Sequence, residues 1–170
     1  MSYLTRDCME NSYHRFNPRS NPITDALAQQ LHDEGRPYVV AIPSRNAHLK
    51  IWPDREEVVV NFLHSPNSDR VRIVYRYLNN GYLGFHLVGA SRLSREAYRG
   101  SAIRKWHLYE LASRQWEKEE HNLKSGLCVR SQIDVRLDEL MATFPRFGNY
   151  CNLLIEEHPA VWSYFGCFAD

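Results

Sequence analysis

The sequence predicts an α+β domain, with an N-terminal helix, a central antiparallel β-meander of about four or five strands, and C-terminal helices packed on one sheet face. Three observations predict it. Asn21 and Pro22 open a short segment with a one-sided apolar stripe. A series of β-rich runs fills residues 37–88. From Ser94 onward the apolar period shifts toward about 3.6 residues.

The first helix follows from local chemistry. Asparagine caps a helix N-terminus through its side-chain oxygen, and proline suits the first helical position because its missing N–H has no intrahelical partner there. Ile23, Leu27 and Leu31 fall on one face, and Gly35 ends the helix. Residues 1–20 mix charge, Asn and Ser without a period. They read as an N-terminal arm, flexible or docked through Tyr3, Tyr13 and Phe16, ahead of a single domain over residues 21–170.

The strand-rich runs are PYVVAIPS at 37–44, HLKIW at 48–52, EEVVVNFL at 56–63, RVRIVYRYL at 70–78 and YLGFHLV at 82–88. Asn80-Gly81 between the last two is the pair that accepts positive φ at both centres of a type I′ turn, which predicts a tight antiparallel hairpin. Alternation places Val71, Ile73, Tyr75 and Tyr77 on one face and Arg72, Val74, Arg76 and Leu78 on the other. Beyond them, Ala102, Trp106, Tyr109, Ser113, Trp116 and Leu123 form the stripe of a long helix ending before Gly126. Ile133, Leu137, Leu140, Met141 and Phe144 form another, started by Ser131 and Asp134 and stopped by Pro145. The segment from Tyr150 to Phe165 supplies short final helices.

With 170 residues and 44% hydrophobic content the chain supports one ordinary core, and a domain of this size buries roughly 70% of its unfolded surface. Twenty-one basic against twenty acidic residues leave a formal charge of +1, which excludes a general polyanion binder and leaves room for a local patch. No run reaches the roughly 18 apolar residues of a membrane-spanning helix. The N-terminus lacks an apolar signal core, so a cytosolic or nucleoplasmic protein is expected. Cys8, Cys128, Cys151 and Cys167 form no C-x-x-C pair and are expected to be buried free thiols.

The local patch lies between residues 70 and 106. Arg70, Arg72, Arg76, Arg92, Arg95, Arg99, Arg104 and Lys105 face only Glu96, with Tyr75, Tyr77, Tyr82, Phe85, Tyr98 and Trp106 among them. This is the expected macromolecule-binding surface. Aromatic residues and arginine are enriched at protein interfaces, and the balanced net charge favours a protein partner with an acidic surface. Nucleic acid is the alternative partner, with arginines on phosphates and aromatics stacked on bases.

Catalytic motifs are missing. The chain has no G-x-S-x-G elbow, no phosphate-binding G-x-x-x-x-G-K-S/T loop and no H-E-x-x-H. His107 with Glu110, and Glu117 with His121, have the spacing of ligand pairs on a helical face, but the eight histidines form no dense cluster. No catalytic residue, cofactor or metal is expected. The reading is therefore a non-enzymatic protein-binding or regulatory module, of the kind a host-directed inhibitor from a virus or bacterium would use.

The segment AYRGSAIRKWHLYELA at 97–112, following YLGFHLV, resembles the acetyl-CoA-binding turn of the acyl-CoA-dependent N-acetyltransferases. The resemblance implies a loop and helix N-terminus that hold a pyrophosphate. Arg99 matches the family's leading arginine, while Ala102 and Arg104 replace its small residues. Tyr98-Arg99-Gly100-Ser101 with Glu117-Lys118-Glu119 is similar to the arginine motif and paired glutamates of ADP-ribosyltransferases. Pro53-Asp54 resembles the opening of the PD-(D/E)xK nuclease motif, without its following lysine.

Overall fold

The computed structural model describes residues 12–63, 72–95 and 103–154. They form a ten-stranded sheet and one α-helix, in place of the α+β layout with several C-terminal helices. The strands are β1 (Tyr13–Arg15), β2 (Pro22–Ile23), β3 (Tyr38–Ile42), β4 (Ala47–Trp52), β5 (Glu57–Leu63), β6 (Arg72–Asn79), β7 (Phe85–Arg95), β8 (Ile103–Glu110), β9 (Trp116–Asn122) and β10 (Leu127–Ile133). From β3 to β10 the spatial order follows the chain, every neighbour is antiparallel, and β1 and β2 extend the sheet beyond β3.

Helix α1 (Asp25–Asp33) starts later than Asn21 and Pro22 suggest, because Pro22 and Ile23 pair with β1. Thr24 is the cap, its hydroxyl accepting from the Leu27 N–H at 3.3 Å. Ala28 and Leu31 carry the buried face, and Gly35 follows the helix at φ +72°. Gly35 meets the expectation for a helix stop.

Two hairpins share one turn design. Pro43 after β3 and Pro53 after β4 each open a short 3-10 turn that closes on a residue with positive φ, Asn46 in the first and Glu56 in the second. The N–H of that residue donates to the proline carbonyl, at 3.0 Å from Asn46 and 3.2 Å from Glu56. Proline fixes the first dihedral, and asparagine tolerates the left-handed position better than glutamate does. Pro53-Asp54 therefore belongs to a hairpin connection, and Asp54 is exposed.

The hairpin around Asn80 and Gly81 is antiparallel as expected, with Asn79 opposite Phe85. Its connection spans residues 80–84, longer than a two-residue turn. The Asn79 and Asn80 side chains accept from the N–H groups of Gly81 and Leu83, and both Gly81 and Gly84 have positive φ.

The long helix expected to end before Gly126 is replaced by the two strands β8 and β9. Trp106, Tyr109 and Trp116 fit a helical spacing, but residues 111–115 make a hairpin turn, with Leu111 N–H to Gln115 O at 2.7 Å and Arg114 at φ +62°. Gly126, read as a helix stop, is the left-handed residue of the next turn, where Asn122 accepts from Lys124 and Ser125. The Glu- and Lys-rich β9 has a helix-like composition, and cross-strand pairing overrides it. The helix expected from Ser131 through Phe144 is instead the end of strand β10, which runs to Ile133, and a single 3-10 turn (Leu137–Leu140) followed by extended chain, and another turn occupies Cys151–Leu153. The final helices placed beyond residue 154 lie outside the described residues, as do residues 1–11.

The core lies on the sheet face covered by α1 and the 137–154 segment. Val40, Ile42, Leu49, Ile51, Val58, Val60, Tyr75, Tyr77 and Leu87 come from successive strands, and Leu140, Tyr150, Leu153 and Leu154 pack on them. Where β8 stops pairing, Ala142 takes its place beside β7, donating its N–H to Phe85 O at 2.9 Å. A hydroxyl chain threads this layer: His32 Nδ1 and the Tyr38 hydroxyl are 2.9 Å apart, and the Tyr38 and Tyr150 hydroxyls 3.0 Å. Burial pushes both tyrosines up and lowers His32 from its ordinary value. Among the described residues no helix is long and apolar enough to cross a membrane.

Candidate functional site

The predicted basic patch is distributed over rows of the sheet. Arg72, Leu93 and Lys105 register in one row, and Ile73, Arg92 and Trp106 in the adjacent one. Ser94 pairs with Arg104 and Arg95 with Ile103. Successive rows alternate between the two faces of a sheet, so the register divides these positions between rows. Arg76 is exposed and its Nε reaches Glu57 Oε1 at 3.0 Å. Arg70 and Arg99 lie outside the described residues, and with Arg99 most of the turn resembling the acetyltransferase site. The described element that follows that turn is strand β8, where the resemblance calls for a helix. Glu117 and Glu119 stand on β9, also not on a helix.

The two anticipated ligand pairs are rearranged by the same change. On a strand, positions three apart face opposite sides. Glu110 accordingly leaves His107 and meets the fully buried His86, with Nε2 and Oε2 at 2.9 Å. Positions four apart stay on one side, so Glu117 and His121 share a face of β9, with Glu119 between them.

That face continues across β8, β9 and β10. His107 registers with Glu119 and Tyr109 with Glu117, while Cys128 lies opposite His121 and Arg130 opposite Glu119. Tyr109 donates its hydroxyl to Glu117, and this hydrogen bond holds the phenol in its protonated form well above its ordinary range. Arg130 Nε sits 2.6 Å from Glu119 Oε1 and 3.9 Å from Glu117 Oε1. His121 Nε2 is 3.1 Å from Glu119 Oε2 and 3.8 Å from Cys128 Sγ. The hydrogen bond from His121 lowers the Glu119 carboxyl, assisted by Tyr109 and Arg130. The His107 and His121 rings meet edge to face at 5.7 Å. Cys128 is a free thiol and exposed, contrary to the buried thiols expected from the sequence.

The same hairpin ends the sheet. Among the described residues β10 pairs only with β9, and no described strand lies along its outer side. Leu127 and Val129 on β10 and Leu123 in the turn are all at least half exposed. The edge strand is seven residues long, has no proline and carries charge only at Arg130, so it has little of the usual protection of sheet edges by short length, charge or proline.

No protein-family model, curated protein or solved structure matches the chain.

Proposed function

We propose that the protein is a non-catalytic binding module that takes an extended segment of a partner protein along the free edge of β10. The carrying observation is that edge: a seven-residue strand with Leu127 and Val129 exposed and no strand of the described residues along its outer side. A partner strand would complete the ladder through main-chain hydrogen bonds, and Leu127 and Val129 would select apolar residues at alternate positions. The basic positions of β6 to β8, Arg72, Arg92, Arg95, Arg104 and Lys105, which the register divides between alternating rows, favour a partner of acidic character overall and not one acidic patch against the edge.

The experiment compares the native protein with a Leu127→Lys/Val129→Lys variant, which places two like charges on the edge. A nuclease-resistant complex formed by the native protein and lost in the folded variant supports the reading. Retention of the complex overturns the edge. A complex that disappears on nuclease treatment, and weakens steeply with salt, assigns the surface to nucleic acid.

A further inference from the structure

We propose that Glu119, His121 and Cys128 form a zinc-binding site on the outer face of the β9–β10 hairpin. The site uses different side chains from the edge contact and stands independently of it. One donor atom from each residue lies within 4.8 Å of the other two. The separations are 3.1 Å between His121 Nε2 and Glu119 Oε2 and 3.8 Å between His121 Nε2 and Cys128 Sγ. Tetrahedral zinc with its usual bonds to sulfur, nitrogen and oxygen spaces its ligand atoms about 3.3–3.6 Å apart. The observed pair straddles that span, and small rotamer adjustments bring all three donors to bonding distance.

The direction of the contacts separates a metal site from a catalytic triad. In a cysteine–histidine–carboxylate triad the imidazole works through both nitrogens, one toward the nucleophile and the other toward the acid. Here Glu119 and Cys128 both approach Nε2 of His121. Donors converging on one nitrogen leave no relay through the ring, whereas a cation between them satisfies all three at once.

The surroundings hold the donors in place. Cys128 and His121 are register partners, and the hairpin turn between them is closed by Gly126 N–H to Asn122 O at 2.9 Å. Arg130 binds Glu119 through Oε1, which orients the carboxylate and leaves Oε2 on the histidine side. A carboxylate fixed by an outer hydrogen bond is the usual support for a metal ligand. Arg130 also offsets part of the negative charge of a thiolate–glutamate pair. His107 stands on the neighbouring strand with its ring 5.7 Å from that of His121 and lies outside the three-donor cluster, so it would reach the ion only by a change of rotamer. Thiolate, imidazole and carboxylate together select zinc over magnesium or calcium, which prefer oxygen alone.

The test is a cobalt(II) titration of the full chain under reducing conditions, followed by zinc competition. The native protein is expected to show the visible bands of tetrahedral cobalt with a thiolate-to-cobalt charge-transfer band, bleached by one equivalent of zinc. Cys128→Ser should abolish the charge-transfer band and His121→Gln should weaken zinc binding at least about tenfold. His107→Gln should weaken it while keeping the charge-transfer band. Circular dichroism identical to the native protein secures these variants as folded. The proposal is overturned by a native protein without the charge-transfer band at saturating cobalt. It is equally overturned by a band that persists in Cys128→Ser, which would assign it to another of the four cysteines.

Discussion

The β3 side and the β10 end of the sheet share one architecture and differ in what covers them. In β3 every residue is buried, with Tyr38, Val40 and Ile42 in the core that α1 and the 137–154 segment cover. In β10 every residue from Leu127 to Gln132 is exposed. Both are paired strands, so a hydrogen-bonded ladder alone does not require a core. At the open end the side-chain pairs Tyr109 with Glu117, Arg130 with Glu119 and His121 with Cys128 take over the cross-strand contacts. The first end is built for stability, and the second presents chemistry.

Trp116 marks the boundary, being 3% exposed at the start of an otherwise half-buried strand. Trp116→Ala is expected to cost about 3–5 kcal/mol. A urea midpoint shift worth less than about 1 kcal/mol would move the core boundary back toward β8. Tyr38→Phe comes next, at about 1–3 kcal/mol, because it strips a partner from both His32 and Tyr150 in the buried layer. Tyr150→Phe, which leaves the His32 contact intact, should cost less, and the reverse ranking would break the proposed chain of hydroxyls.

Gly81→Val forces a β-branched residue to φ +73° where no atom stands within 4 Å, so the cost is backbone strain of about 1–2 kcal/mol. Unchanged thermal stability would refute the turn geometry. The pH effect is smaller. Burial lowers His32 and His48 below their ordinary value of 6.5, so the unfolded chain takes up protons first as the solution is acidified. Stability is therefore complete above about pH 6.5 and declines below it, until the folded-state values are passed. A His32→Gln/His48→Gln variant should show a flatter decline, measured by denaturant midpoints across that range. Smallest of all, Leu127→Lys/Val129→Lys should change stability by no more than about 0.5 kcal/mol, since neither side chain is buried. A large loss would show the open end to be part of the core.

The covered end was also the legible one. Its strands announce themselves through Val, Ile and Tyr at alternate positions, and α1 through its apolar stripe and Gly35. The open end misled because Glu117-Lys118-Glu119-Glu120 favours helix locally, and Gly126 serves equally as a helix stop or a hairpin residue. Partnerships on β9 and β10 depend on register, which no helical spacing reveals. The available signal was alternation, with Glu119 and His121 before the Asn122–Gly126 turn and Cys128 and Arg130 after it. The basic residues were visible as a count, while their division between rows required the strand pairing.

Ala142 beside Phe85 carries a consequence for how the chain finds its structure. From β3 to β10 each strand needs only the hairpin before it, so the meander can grow by successive closure of short loops at low entropic expense. The 137–154 segment has no such neighbour. It returns across about a third of the chain to seat against β7 and about two thirds of it to reach His32 of α1, and contacts of that sequence separation form slowly. Refolding should accordingly run in two stages, with sheet amide protection rising first and burial of Tyr150 last.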